Sequence, residues 1–238
     1  MIPTDRVRFR ELVKQRSQGR PVAYLVGKRE FFSMEFEVDP RVLIPRPETE
    51  VLASRALAYL PKDRPSRFLD IGTGSGAIAI VLASHRPSAT GVAIDISPDA
   101  LNVAQQNVAR HHLSDRIELR TGGMLATLAR DEHFDVIASN PPYVRESEYA
   151  SLPKDVRDFE PRQALVAGAD GLFVLADIVE HAPEYLLPGG SLLLEFGIDH
   201  AQPMKDRVLA DPRYLSCEIV ADDTRTPRVL VAKTRPSP

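Results

Sequence analysis

The fold is decided by the stretch Asp135-Val136-Ile137-Ala138-Ser139-Asn140-Pro141-Pro142-Tyr143. Its first five residues form a largely apolar run with β-branched side chains, which is typical of a buried strand. The two prolines hold φ at about −65° and lack an N–H group, so neither a strand nor a helix continues through them. Pro141 also favours an extended backbone at Asn140. The stretch therefore predicts a strand that ends in a rigid turn.

This turn presents hydrogen-bond acceptors beside an aromatic ring. Asn140 contributes its amide oxygen, the backbone carbonyls of Asn140 and Pro141 are free to accept, and Tyr143 supplies the ring. Two such acceptors take both hydrogens of a planar –NH2 group while a ring covers its face. The pattern predicts recognition of the nitrogen of a glutamine side chain, an adenine or a cytosine. For the tetrapeptide by itself, a rigid turn with a buried tyrosine is the alternative.

Composition narrows the class of protein. The 238 residues suffice for one α/β domain with a small attachment. A net charge of −3 predicts no direct nucleic-acid binding, and no apolar run reaches membrane-spanning length. Cys217 is the only cysteine, which excludes intramolecular disulfides and favours a cytoplasmic location. The six histidines lack metal-ligand spacing, so no metal site is expected.

Strands and helices alternate from residue 67 onward, which predicts an α/β fold with a doubly wound, Rossmann-like sheet. Strands are expected at about 67–71, 90–94, 116–120, 135–139 and 191–196, and two further strands, at about 215–221 and 228–232, would form a C-terminal antiparallel hairpin. The prediction is a mostly parallel sheet of seven strands.

The flanking segments set the expected domain limits. Residues 1–28 would form a short N-terminal helical appendage, and residues 29–49 a β-hairpin and linker. The main domain would span residues 50–234, with a frayed tail at 235–238. Residues 144–168 form a long, polar, proline-containing loop in this interpretation, and a loop of that length in a compact domain is usually functional.

A glycine-rich loop, Asp70-Ile71-Gly72-Thr73-Gly74-Ser75-Gly76, follows the first predicted parallel strand. Its glycines let the backbone approach a ligand closely. With Ala77 they also match a loose dinucleotide fingerprint, so the loop by itself leaves a nicotinamide-dependent oxidoreductase open. A carboxylate at Asp70 would repel a pyrophosphate but suits the α-ammonium group of S-adenosylmethionine. Asp95, at the end of the second strand, is placed to bind ribose hydroxyls. Helix capping or a loop contact is the alternative for both carboxylates.

Four features fall at the carboxyl ends of successive strands. They are the glycine loop, Asp95, the loop at 121–125 and the Asn140–Tyr143 turn. Open α/β sheets bind their ligands at this edge. The combination, in this order, predicts an S-adenosylmethionine-dependent amino methyltransferase.

Further motifs narrow the family. They are Arg16-x-x-Gly19-x-Pro21-x-x-Tyr24-x-x-Gly27, Leu43-Ile44-Pro45-Arg46-Pro47-Glu48-Thr49-Glu50, Phe159-Glu160-Pro161-x-x-Ala164-Leu165, Gly168-x-Asp170-Gly171 and Glu195-Phe196-Gly197. With them, about residues 16–232 resemble the HemK/PrmC-type protein-(glutamine-N5) methyltransferases, which modify the glutamine of the Gly-Gly-Gln motif in peptide-chain release factors. The Ile44–Glu50 segment is a more family-specific marker than Asn-Pro-Pro-Tyr, which also occurs in N6-adenine methyltransferases.

The resemblance implies a class I S-adenosylmethionine methyltransferase that acts on a release factor. It implies that Asn140, Pro141 and Tyr143 are catalytic and that, together with Pro142, they bind the target amide. The residues expected to bind the cofactor are Asp70, Gly72, Thr73, Gly74, Gly76, Asp95, Ile96, Met124 and Asn140. The segment Ile44–Thr49 would pack over the cofactor pocket. For Glu160 and Arg162, a salt-linked loop anchor is an open alternative.

The chain departs from the family pattern in two places. Only the last helix of the family's N-terminal helical domain is expected, and Thr121-Gly122-Gly123-Met124-Leu125 stands where the family tends to carry an acid. Adenine would then rely on backbone groups and apolar packing. Another protein, a peptide or a small-molecule amide or amine is therefore open as the methyl acceptor. A nucleic-acid adenine methyltransferase is less favoured, since no target-recognition domain is evident. The intact motifs argue against a non-catalytic binding module.

Overall fold

The computed structural model describes the backbone of residues 3–236 and the side chains of residues 6–236. The helices are α1 (Pro3–Ser17), α2 (Val22–Val26), α3 (Thr49–Tyr59), α4 (Ala77–His85), α5 (Pro98–Arg110), α6 (Lys154–Phe159), α7 (Phe173–His181) and α8 (Ala201–Ala210). The strands are β1 (Lys28–Phe31), β2 (Met34–Glu37), β3 (Ser66–Ile71), β4 (Ala89–Asp95), β5 (Ile117–Thr121), β6 (Phe134–Ser139), β7 (Leu186–Glu195), β8 (Tyr214–Ala221) and β9 (Pro227–Thr234).

Seven strands form one sheet in the order β5-β4-β3-β6-β7-β9-β8. The first five run parallel, and β9 pairs antiparallel with both β7 and β8. The predicted class I methyltransferase fold, with its C-terminal antiparallel hairpin, is confirmed. Because these strands are parallel, the carboxyl ends of β3, β4, β5 and β6 lie along one edge of the sheet. The sequence motifs come directly after these strand ends and so lie at the same edge.

Helices cover both faces of this sheet. On one face, α3, α4 and α5 contribute the fully buried Leu52 and Ile80 and the nearly buried Val108. On the other face, α7 and α8 contribute Ile178 and Val208, which are also fully buried. Every residue of β6 is buried. A strand covered on both faces has no polar side to show, which explains its nearly continuous apolar sequence.

The N-terminal hairpin is confirmed and packs into the main core. β1 and β2 pair antiparallel, and Phe31 and Phe36 lie in the same buried cluster as residues of α3 and α4. Asn107 of α5 holds the hairpin by accepting from the N–H of Glu37 at 2.7 Å and donating to its carbonyl at 3.0 Å. Helix α2 was not predicted, because five residues are too few for a periodic signal.

The segment 144–168 is more ordered than the predicted loop. It contains α6 and short 3-10 turns at Glu146–Ser151 and Arg162–Ala164. Val144 and Val166 bridge its two ends, so the segment closes on itself. The sequence predicted a long polar loop here and did not locate these elements, because elements of three to six residues leave no periodic pattern.

The C-terminal hairpin ends at Thr234, and the expected fraying does not begin at the next residue. The Arg235 N–H donates to the Arg213 carbonyl, and the Gly189 N–H donates to the Arg235 carbonyl. Residues 237 and 238 lie outside the described part of the chain. Within residues 3–236, no helix has the length and apolar character needed to cross a membrane.

Candidate active site

A cavity of about 330 Å³ lies at the carboxyl ends of β3, β4, β5 and β6. Eight of the sequence-predicted site residues line it: Gly72, Gly74, Asp95, Ile96, Met124, Asn140, Pro141 and Pro142. Four others do not: Asp70, Thr73, Gly76 and Tyr143. The fold therefore brings the glycine loop, the Asp95 carboxylate and the Asn140 turn to one cavity, as the motifs predict. In residues 3–236, no group of three or more His, Cys, Asp or Glu side chains is arranged to hold a metal.

The glycine loop leaves its cavity side open. Gly72 and Gly74 adopt φ values of +70° and +55°, and a Cβ placed on either one would meet no atom within 4 Å. A larger residue at either position would have a strained backbone conformation, and its side chain would project into open space. Gly76 is different, because its Cβ would meet Ile80 at 3.2 Å and Ala104 at 3.5 Å. Gly76 thus serves the packing of α4 against α5, whereas the first two glycines admit a ligand.

Asp70 lies beneath this loop instead of facing the cavity. It is fully buried, and its Oδ2 accepts from the Thr73 hydroxyl at 2.6 Å and from the Ala79 N–H at 3.1 Å. Its Oδ1 has no partner in the described part of the chain. Burial raises the pKa of Asp70 to about 7, and the bonds from Thr73 and Ala79 oppose that rise. These contacts make Asp70 a support for the loop, and its carboxylate does not line the cavity.

Asp95 is the carboxylate that faces the cavity. Its Oδ1 accepts from the Ser97 N–H and its Oδ2 from the Gly74 N–H, both at 2.9 Å. Burial raises its pKa, while the backbone donors at Ser97, Gly74 and Ile96 lower it. A carboxylate oxygen accepts more than one hydrogen bond, so each oxygen retains capacity for a hydroxyl donor. The two backbone bonds fix the carboxylate in a position that suits a ribose.

The far end of the cavity is apolar and contains no acid among its lining residues. It is bounded by Ile96, whose side chain is 66% exposed, and by Gly122, Gly123 and Met124. A backbone bond from the Gly122 N–H to the Asp95 carbonyl, at 2.9 Å, holds this loop against β4. Flexible apolar side chains and bare glycine backbone suit a flat aromatic base. Together with Asp95 and the glycine loop, these residues fit the nucleoside of S-adenosylmethionine.

Asn140 is held from outside the cavity. Its Nδ2 donates to the Thr49 hydroxyl at 3.1 Å, which turns Oδ1 to the other side of the amide. The preceding residue is also tied, because the Ser139 hydroxyl donates to the Ile71 carbonyl at 2.6 Å. The Asn140 amide is therefore positioned by α3 and by the end of β3. Sequence reasoning did not find this role of Thr49, which it placed only in the segment expected to pack over the cofactor pocket.

Tyr143 lies behind the turn. Its ring packs beside His200, with the ring centroids 6.3 Å apart, and burial raises the pKa of its phenol to about 12. Its backbone carbonyl would lie 2.4 Å from a Cβ at Gly171, so this glycine is required for close packing. Tyr143 is not among the residues that line the cavity, and its contact with a substrate amide stays a prediction.

A roof covers the cavity, formed by residues 41–46 and 160–166. Glu160 is 5% exposed; its Oε1 accepts from Arg46 at 2.5 Å and its Oε2 from the Ile44 N–H at 3.1 Å. Glu160 therefore anchors its loop through an ion pair, which is the alternative that the sequence left open for this residue. Seven roof residues line the cavity: Arg41, Val42, Leu43, Pro161, Gln163, Ala164 and Val166. Sequence reasoning placed the Ile44–Thr49 motif over the pocket, but it did not identify these lining residues.

Comparison with known proteins supports the assignment of this chain to the methyltransferases. The family model "Methyltransferase small domain" matches residues 49–154. Among solved structures, the chain is similar to the protein-(glutamine-N5) methyltransferase (release factor-specific) of Alicyclobacillus acidocaldarius. The TM-score is 0.52 and the identity 26%, over 84% of this chain and 100% of that one.

Two curated relatives share the description release factor glutamine methyltransferase. The one from Nitratidesulfovibrio vulgaris is 48% identical over 81% of this chain, which spans 65% of that protein. The one from Rhodopirellula baltica is 44% identical over 95% of this chain, which spans 78% of that protein. This degree of identity over most of both proteins, joined to the class I fold, defines the family. The chain belongs to the release factor glutamine methyltransferases, and its enzyme class is protein-(glutamine-N5) methyltransferase.

Proposed function

We propose that this protein transfers a methyl group from S-adenosylmethionine to the side-chain amide nitrogen of a glutamine, in the Gly-Gly-Gln motif of a peptide-chain release factor. One observation carries the proposal: Asn140, with its amide tied to Thr49, lies on the same cavity wall as Asp95 and the glycine loop. A cofactor site and an acceptor for –NH2 hydrogens thus share one space. The names of the relatives support the choice of acceptor.

The cofactor, when bound, supplies an electrophilic methyl group on a sulfonium. Asp95 would hold the ribose, and Gly72 and Gly74 would let the backbone approach the methionine portion. Tight positioning of this kind contributes much of the rate, because it converts a two-body encounter into a reaction within one complex. The roof residues, with the Arg46–Glu160 ion pair behind them, would exclude water from the reacting atoms.

An amide nitrogen is a poor nucleophile because its lone pair is delocalised into the carbonyl. The Oδ1 of Asn140 and the backbone carbonyl of Pro141 would accept the two N–H bonds of the target amide. These acceptors stabilise the positive charge that develops on nitrogen as the N–C bond forms and the S–C bond breaks. One proton then leaves the nitrogen for water. The step needs no covalent intermediate and no strong general base.

The test is methyl transfer from labelled S-adenosylmethionine to a purified release factor. We expect labelling of the wild-type factor and none of a factor with Gln→Ala in its Gly-Gly-Gln motif. Equal labelling of both would refute the assignment of the acceptor. Absence of labelling, with the cofactor still bound in calorimetry, would direct the search to other proteins, peptides and small amides. Absence of cofactor binding would refute the function as a whole.

Asn140→Ala tests the proposed chemistry. Removing one charge-stabilising partner typically lowers turnover by about 100- to 1000-fold, and we expect a loss in that range. Cofactor affinity should stay within a few-fold, since the glycine loop and Asp95 are untouched. Asn102→Ala, at an exposed position of α5, is the matched control and should leave turnover unchanged. Parallel loss of turnover and cofactor binding in Asn140→Ala would contradict the assignment.

A further inference from the structure

The motif segment Arg16–Gly27 has no part in the chemistry above, yet one of its residues is bonded to the roof of the cavity. Within α2, Tyr24 is buried, whereas Val22 and Val26 are exposed. The Tyr24 hydroxyl donates to the backbone carbonyl of Val42 at 2.5 Å. Val42 belongs to the roof and lines the cavity. The motif segment is therefore hydrogen-bonded directly to a residue of the cavity wall.

Apolar packing accompanies this hydrogen bond. Tyr24 lies in a buried cluster with Val42 and Ile44 of the roof. The cluster also contains Ala100 of α5, which lines the cavity, and Phe159 at the end of α6 packs against it. Tyr24 thus belongs to a group of side chains that joins the motif segment to the first roof segment, residues 41–46.

The motif segment also lies against the helix that leads into the second roof segment. The Lys154 Nζ, at the start of α6, donates to the Gln18 carbonyl at 3.0 Å. A Cβ on Gly19 would lie 3.5 Å from the Lys154 side chain and 3.6 Å from the Phe159 ring, which is ordinary van der Waals contact. Because α6 ends directly before residue 160, both halves of the roof are supported from the same segment.

We propose that Tyr24 is a positioning residue that holds the roof closed over the cofactor. The inference rests on the proposed function, which assigns S-adenosylmethionine to this cavity. A buried carbonyl that loses its hydrogen-bond partner costs free energy, so without the Tyr24 hydroxyl the closed roof is less stable. The Val42 carbonyl regains a partner when the roof opens and water reaches it. Cofactor affinity then falls, since it is proportional to the fraction of molecules that have the closed roof.

The position of Tyr24 confines its effect to binding of the cofactor. Tyr24 does not line the cavity, so it touches no reacting atom. The Asn140 amide is held by Thr49 and does not depend on the Tyr24 hydroxyl. Once the cofactor is bound and the roof is closed, the rate of methyl transfer should be that of the wild type.

The test compares Tyr24→Phe with Tyr214→Phe. The two changes remove the same atom from similarly buried residues, because Tyr24 is 6% exposed and Tyr214 is 4% exposed. The Tyr214 hydroxyl also donates to a valine carbonyl, that of Val179, at 2.8 Å. Tyr214 lies on β8, the outermost strand of the sheet, and does not line the cavity. The two variants should lose similar free energies of unfolding, and only Tyr24→Phe should change cofactor binding.

The first measurement is the Kd of S-adenosylhomocysteine, by calorimetry. We expect it to rise at least about fivefold in Tyr24→Phe and to stay within about twofold of wild type in Tyr214→Phe. In the transfer assay, the KM of Tyr24→Phe for S-adenosylmethionine should rise with this Kd, while kcat at saturating cofactor stays within about threefold of wild type. A rise in Kd of the same size in both variants, or in neither, would overturn the proposal.

A second measurement needs neither the cofactor nor the methyl acceptor. The Val42 N–H donates to the Asp39 carbonyl at 3.1 Å, so its amide exchange reports opening of the roof. Protection of this N–H should be lower in Tyr24→Phe than in Tyr214→Phe, and equal protection in both would overturn the positioning role. If wild type does not bind S-adenosylhomocysteine, the proposed function fails, whereas the difference at Val42 would still establish Tyr24 as a support of the roof.

Discussion

The roof of the cavity depends on the ion pair between Arg46 and the buried Glu160, and Glu160→Gln is the change that tests it. Both oxygens of Glu160 accept a hydrogen bond, one from Arg46 at 2.5 Å and one from the Ile44 N–H at 3.1 Å. Glutamine has the same shape but only one acceptor oxygen. Its –NH2 group would therefore face either the guanidinium or the backbone N–H, and that donor would lose its partner.

The magnitude follows from the exposure of the two partners. Breaking a fully buried pair on one side costs roughly 3–5 kcal/mol. Glu160 is 1% exposed at its side chain, whereas Arg46 is 31% exposed and is able to recover hydration. Charge-assisted hydrogen bonds contribute about 1.5–3 kcal/mol each. We expect Glu160→Gln to lower the free energy of unfolding by about 2 kcal/mol.

The same chain offers a matched control in Glu146→Gln. Glu146 pairs with Arg162 within the same segment, but the two side chains are 57% and 53% exposed. Exposed pairs contribute about 0–1 kcal/mol. Urea unfolding should therefore separate the two variants by at least about 1 kcal/mol.

Amide exchange at Ile44 locates the effect. A 2 kcal/mol loss confined to the roof corresponds to about a 30-fold drop in protection of this N–H, and Glu146→Gln should leave it unchanged. Cofactor affinity should weaken in Glu160→Gln alone, since residues 41–43 line the cavity. Equal destabilisation by both variants, or unchanged exchange at Ile44 in Glu160→Gln, would refute the argument.

Three further changes test other parts of the structure. Asp95→Ala should weaken cofactor binding at least about 10-fold in calorimetry, because it removes an acceptor for the ribose and the anchor of Gly74; unchanged affinity would contradict this role. Burial holds the pKa of Glu195 at about 7 against an ordinary 4.5, so the folded state loses stability as pH rises through 7. Glu195→Gln has no carboxyl group to titrate at this position. The difference in unfolding free energy between Glu195→Gln and wild type should therefore change by about 3 kcal/mol in favour of the variant between pH 4.5 and pH 8.5. A difference that stays constant with pH in urea titrations would exclude the assigned pKa. In Gly91→Ala the new Cβ would lie 2.1 Å from the Phe68 ring, so Tm should fall by the equivalent of about 1–3 kcal/mol, and an unchanged Tm would show that the core accommodates the methyl group.

Much of the fold was predictable because its determinants are local. Period, β-branched runs and the glycine and proline positions located every strand of the main sheet, although β7 begins at Leu186 and not near the predicted residue 191. The same signals placed the glycine loop, Asp95 and the Asn140 turn at strand ends, and the topology of a parallel sheet then brought them together. Helix α2 and the elements within 144–168 were not predicted, since they are too short to show a period.

The sequence by itself determined the class of fold, the family and the edge of the sheet that carries the site. Only the tertiary structure decided how each polar group is used. Asp70 lies beneath its loop while Asp95 faces the cavity, although both follow an apolar run. Thr49 and Asn140 meet across 91 residues, and Arg46 and Glu160 across 114. Such contacts depend on where packed helices place distant side chains, and local backbone preferences carry no information about that distance.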